Sequence, residues 1–165
     1  FSAVVRDAKE RGYTEPDPRD DLNGLDFARK LLILAREAGA SLELGEVRIE
    51  RFLSEQCFGV SSVDEFFVEL ERADAGFADR LRGVAARGGK LRYIGTLDLQ
   101  PEPVARIELQ EVGAEHPFFG LSGSDNIISF TTDRYRERPL VVKGPGAGAE
   151  VTAAGVFADI IRIAP

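Results

Sequence analysis

From Leu25 the chain reads LDFARKLLILAREAG, and in its second and third turns Ala28, Leu31, Leu32, Ile33, Leu34 and Ala35 leave almost no polar face. A helix that is apolar nearly all round is covered nearly all round. The pattern therefore predicts a buried helix, with an N-cap at Asn23, an acidic Asp26 at its positive end, and a stop at Gly39. Upstream, SAVVRDAKER (2–11) places Val4, Val5 and Ala8 on the inner face of a short helix closed by Gly12. Downstream, Val47 and Ile49 alternate with Glu46, Arg48 and Glu50, the period of a half-buried strand. After a turn around Cys57 and Gly59, Ser62 and Glu65 form a capping box before VDEFFVELERA. A second helix, FADRLRGVAARG, ends at Gly88 and Gly89, and the arginines and acids of both helices read as solvated faces.

Strands dominate the remainder. KLRYIGTLDL and ARIELQEV alternate, NIISFTT is short and rich in β-formers, and RPLVVK is apolar enough to be a central strand. A helix from about Glu150 to Ile163 closes the chain. Helices, then hairpin-linked strands, then a returning helix predict an α+β fold: one mixed, largely antiparallel β-sheet with helices covering one face. The 165 residues, 44% apolar and free of repeats or linkers, predict a single domain over 1–165.

Composition narrows the partners. Lys and Arg number 21 against 28 Asp and Glu, a net charge of -7, which argues against nucleic acid or an anionic membrane. No apolar run approaches the ~18 residues of a membrane span, and no signal peptide is visible. Cys57, the one cysteine, has no internal disulfide partner, which fits the reducing cytoplasm. A first residue Phe1 and the absence of methionine suggest a piece excised from a longer protein.

Charge is concentrated in one stretch, GYTEPDPRDDLNGLDFARK, from Gly12 to Lys30. Pro16 and Pro18 fix their own φ and hold Glu15 and Asp17 extended, so Glu15 to Arg19 is expected to be stiff and non-helical. Asp26 and Lys30, four apart, share one helix face about 6 Å apart along the axis. On a solvated helix such a pair contributes only about 0.3 to 0.5 kcal/mol. Inside an apolar segment, an ammonium must be offset by carboxylates, and Glu15, Asp17, Asp20 and Asp21 arrive at the top of the same helix. A cation so held, among acids able to grip a second ammonium, reads as a site. The acidic loop could offer oxygens to a hard cation, but it lacks the glycine-turned spacing of a calcium loop and Arg19 competes, so no metal is expected. His116, in the loop HPFFGLSG, has no partner at a telling spacing and is given no catalytic role.

Near the C-terminus, Gly144, Gly146 and Ala149 satisfy G-x-G-x-x-A between a strand and a helix, the form of a dinucleotide fingerprint. The chain ends at Pro165, too soon for the second parallel strand and ribose-binding acid of a self-contained nucleotide domain. The loop still presents free N–H groups and lets a ligand approach backbone closely.

The run GYTEPDPRDDLNGLDFARKLLILARE resembles the signature of homoserine dehydrogenases, and PLVVKGPGAGAEVTAAGVFADIIRIA is similar to a second segment of that family. The two bracket nearly the whole chain. The resemblance implies reduction of aspartate 4-semialdehyde to homoserine by a nicotinamide cofactor, NADP or NAD. It implies Lys30 as the general acid, Glu15 and Asp26 as holders of the substrate ammonium, Gly12 as part of that pocket, and Asp21 as a supporting acid. Gly148 is implied to meet the nicotinamide side of the cofactor, with Glu150 beside it in a lesser role. The family carries a nucleotide-binding domain before this region. It is absent here, so the fragment is expected to be inactive. A homodimer is implied, and LLILAREAG is similar to the dehydrogenase half of bifunctional enzymes with an upstream aspartokinase. The competing class is a non-catalytic amino-acid-sensing or oligomerisation module that binds an ammonium ligand without reduction. A glycoside hydrolase is disfavoured, since no tryptophan exists to line a sugar cleft.

Overall fold

The computed structural model describes residues 1–123, 125–146 and 148–164. The chain divides into two compact units, Phe1–Val112 and Gly113–Pro165.

The first unit begins with α1 (Ser2–Glu10), α2 (Pro18–Leu22) and α3 (Leu25–Glu37). A one-turn 3-10 helix at Leu44–Glu46 leads into β1 (Arg48–Ile49), followed by α4 (Glu55–Phe58) and α5 (Val63–Ala86). A hairpin, β2 (Lys90–Asp98) and β3 (Val104–Val112), completes it. The strands lie in the order β1-β3-β2, with β1 parallel to β3 (Ile49 opposite Ile107) and β2 antiparallel to it (Gly95 opposite Ile107).

Two apolar cores hold this unit. Ala28, Leu31, Leu32 and Ala35 of α3 pack with Ala40, Leu42 and Val47 onto Ala105 and Ile107 of β3. Phe66, Phe67 and Leu70 of α5 pack with Val5, Leu53 and Cys57. Each large side chain so buried contributes about 1.5 to 3 kcal/mol relative to exposure.

Several expectations change. α3 is amphipathic rather than buried on most sides: Ile33 is 61% exposed, because 100° per residue carries it away from the stripe made by positions 28, 31, 32 and 35. Val4 points outward from α1 for the same reason, leaving Val5 as its buried apolar residue. The expected non-helical run Glu15–Arg19 stops at Asp17. Pro18 is the first residue of α2, since its missing N–H is one the first turn leaves unpaired anyway. The two helices expected across residues 63–89 are one, α5, and Gly76 does not interrupt it. Its capping is shifted by a residue: Ser62 Oγ accepts from Glu65 N (3.1 Å), while the Glu65 carboxylate accepts from Ser61 N (2.8 Å).

The second unit pairs β4 (Asp125–Phe130) antiparallel with β5 (Leu140–Pro145), Ile127 opposite Lys143, and ends in α6 (Ala149–Ile163). Among the described residues the strands thus fall into two sheets rather than one, while the α+β class with a mixed, largely antiparallel sheet holds. β5 is not central: Leu140, Val141 and Val142 are exposed on a two-stranded ribbon. No described residue of α6 is buried, and Val156, Phe157, Ile160 and Ile161 form an exposed apolar surface. No helix among the described residues is long and apolar enough to cross a membrane.

Candidate active site

The acidic loop leaves α1 through a Schellman turn. Gly12 N donates to Lys9 O (3.0 Å) and Tyr13 N to Ala8 O (2.9 Å), with Gly12 at φ +71°, so the glycine is where the helix must end left-handed. Lys9 Nζ donates to Pro16 O (2.8 Å). Glu15 is anchored by its own backbone, its N–H donating to an Asp21 carboxylate oxygen at 2.9 Å. The Asp21 carboxylate thus braces the backbone of the loop.

Asp17 does two things. As N-cap of α2 it accepts from Arg19 N (3.0 Å), and the Arg19 guanidinium grips the same carboxylate through Nε (2.9 and 3.0 Å) and Nη2 (2.5 Å). The hydrogen bonds from the Arg19 side chain hold the Asp17 carboxyl below the usual carboxylate range. The remaining arm, Nη1, donates to Val60 O at 2.6 Å. Sequence reading missed this fork, although D-P-R carries its signal: an N-cap acid, a proline at the first helical position, and a cation one residue on.

Next comes Gly24, the N-cap of α3, buried and left-handed at φ +82°. Asn23 is not the cap expected of it; its side-chain oxygen accepts from Leu25 N (2.8 Å) one residue earlier. Above Gly24 stands Tyr93, whose hydroxyl donates to Glu50 O (3.4 Å) and whose proton affinity is raised by burial.

On the outer face of α3, Lys30 Nζ pairs with Asp26 Oδ2 at 2.7 Å. The lysine is not sunk in apolar surroundings as its neighbours in sequence suggest. Its side chain is 59% exposed and that of Asp26 55%, and among the described residues Asp26 is the one carboxylate paired with it. The apolar run around Lys30 covers the opposite face of the helix, so the ring of acids expected to encircle the ammonium does not form. The carboxylates of Glu15 and Asp20, both exposed, have no ion pair or hydrogen bond among the described residues. Glu15 is the one expected substrate-holding acid whose charge is uncommitted.

In the second unit the glycine loop has its own logic. A Cβ on Gly146 would collide with the Asn126 side chain across the ribbon, and Gly148, at φ +124°, opens into free space at the start of α6. The first capping bond into the helix is Thr152 N to Gly148 O (3.1 Å), and the N–H groups before it have no helical partner among the described residues. Glu150 is exposed in the first turn, favourably placed against the helix dipole. Ala147 lies outside the described residues. Among the described residues no group of three or more His, Cys, Asp and Glu is placed to hold a metal ion.

The likeness to known proteins runs the length of the chain. It is 52% identical over 164 residues to the bifunctional aspartokinase/homoserine dehydrogenase 2, chloroplastic, of Zea mays, covering 99% of this chain and 18% of that protein. It is 46% identical over 164 residues to the homoserine dehydrogenase of Schizosaccharomyces pombe, covering 99% of this chain and 43% of the relative. A crystal structure of a Candida auris protein of unknown function superposes with a TM-score of 0.89 at 43% identity, over 99% of this chain and 45% of that one. Homoserine dehydrogenase from S. aureus shares the fold at a TM-score of 0.72 and 23% identity, over 98% of this chain and 36% of that one. The chain thus spans less than half of the relatives it matches. With the homoserine dehydrogenase family model matching residues 1–161, the chain belongs to the homoserine dehydrogenase family.

Proposed function

We propose that residues 1–165 are the substrate-binding, catalytic and dimerisation domain of an NAD(P)-dependent enzyme that reduces aspartate 4-semialdehyde to homoserine. The observation that carries this reading is the homoserine dehydrogenase family match over residues 1–161, which takes in Lys30 and Asp26, paired at 2.7 Å on an open face of α3, and Glu15, whose carboxylate has no partner among the described residues. An exposed ammonium bearing one carboxylate can donate a proton to an aldehyde oxygen as negative charge develops there, while the carboxylate holds it in place. Glu15 and Asp26 supply the charge that an amino-acid ammonium needs, Gly12 supplies backbone at the loop's start, and Asp21 keeps Glu15 in position.

The loop before α6 fits a neutral carboxamide better than a phosphate, since it offers backbone donors and, in Glu150, an acid that would repel an anion. Gly148 and Glu150 would meet the nicotinamide, which supplies the hydride when bound. Most of the cofactor site is assigned to a nucleotide-binding domain outside these residues. The maize relative, a bifunctional aspartokinase/homoserine dehydrogenase, favours an aspartokinase half in the same polypeptide. The exposed Phe130, Leu140, Val141 and Val142 of the ribbon favour a homodimer. The lone buried thiol of Cys57 suits a reducing compartment such as the cytoplasm.

The test compares two proteins. The full-length enzyme should oxidise homoserine with NAD or NADP, whereas residues 1–165 alone should give no turnover with aspartate semialdehyde and reduced cofactor. Turnover by the fragment at the full enzyme's rate would show the cofactor site to be misassigned. Homoserine binding to the full-length protein without any nucleotide reduction would put the sensing module in its place.

A further inference from the structure

We infer that Arg19 is a positioning residue for substrate recognition, acting through the loop that carries Glu15. The inference rests on the proposed role of Glu15. Arg19 is only 19% exposed, and its guanidinium joins two parts of the first unit that are far apart in sequence. One side grips Asp17, the N-cap of α2 and the residue between the two prolines of the loop. The other reaches Val60 O in the α4–α5 connection, and the Val60 side chain packs against the core of Cys57, Phe66 and Leu70. The loop is thereby tied to the buried apolar cluster beneath α5.

Between this clamp and the Glu15 N–H bond to Asp21, the backbone from Glu15 to Asp17 is held at both ends, with Pro16 limiting the only freedom left in between. The Glu15 carboxylate has no hydrogen bond of its own among the described residues, so the backbone beneath it decides where that charge sits. A planar fork is needed for this. Lysine at position 19 would keep the charge but could not grip a carboxylate along two edges while donating to a carbonyl on the third.

The experiment is a double-mutant cycle in the full-length dehydrogenase, with thermal melts to check folding. Arg19→Lys is expected to raise the KM for homoserine about tenfold, with kcat and the cofactor KM changed by less than about threefold. In a Glu15→Gln background the same substitution should raise KM by no more than about twofold further, because the group it positions is already gone. Additive effects in the cycle, or an equal fall in kcat with KM unchanged, would overturn the inference. Should Arg19→Lys fail to fold, Asp17→Asn opens the same fork and must give the same split. If Glu15→Gln itself leaves KM unchanged, the recognition role of Glu15 fails. If Glu15→Gln raises KM but Arg19→Lys does not, the positioning role of Arg19 alone fails.

Discussion

Gly24 and Tyr93 meet where there is room for backbone and nothing more: a Cβ on residue 24 would stand 2.7 Å from the Tyr93 hydroxyl and 2.7 Å from Cγ2 of Ile49. The contact seats the first turn of α3 on the β1-β3-β2 sheet, and with it Asp26 in that turn and Lys30 in the next.

Gly24→Ala should therefore be costly twice over, through a left-handed φ and through the collision. A loss of about 2 to 4 kcal/mol is expected in urea denaturation. Adding Tyr93→Phe should recover part of it, since that removes one of the two clashing atoms and leaves Ile49 and the backbone strain.

Lys30→Ala tests the chemistry. The exposed ion pair contributes at most about 0.5 kcal/mol, so the melting curve should barely move. In the full-length enzyme kcat should fall by at least about a hundredfold with little change in homoserine KM, while Glu15→Ala should chiefly raise KM. The opposite assignment of the two effects would exchange their roles.

Acid should weaken the clamp under the loop. Arg19 holds the Asp17 carboxyl below its ordinary value, so the clamp's contribution is full above the unfolded carboxylate pKa of about 3.9 and is lost as pH falls below it and through the depressed value. Asp17→Asn should lower stability by about 1 to 2 kcal/mol at pH 7. The difference between wild type and variant should shrink toward pH 3 in a series of denaturation curves.

Gly76 sits inside α5 with open space where its Cβ would be. Gly76→Ala should raise stability by about 0.5 to 1 kcal/mol, since alanine loses less backbone freedom on entering the helix. A calorimetric Tm that falls instead would mean that residue 76 packs against something outside this chain.

Elements with unambiguous local chemistry were legible from sequence. The alternation in KLRYIGTLDL and ARIELQEV became β2 and β3, and Gly12, Gly39 and Gly88 each close a helix with the same pair of bonds. A run of apolar letters does not by itself mean burial. Leu31 to Leu34 hide one face of α3, and the angle per residue, which composition does not report, turns Ile33 and Lys30 outward. LVV in β5 is apolar yet exposed, because burial depends on how many strands assemble beside it. The two helices expected across residues 63–89 join into one because the local penalty of Gly76 is small against the packing of Phe66, Phe67, Leu70 and Phe77 along α5. The Arg19 arm to Val60 spans a separation that no short motif encodes.

The turn at Gly12 has a last implication. Because the chain leaves α1 through a left-handed residue, a side chain introduced there would strain the backbone where the following arm begins, like a misaligned hinge pin. Kinetic damage from such a change would report lost aim, even with every ligand-touching atom still in the protein.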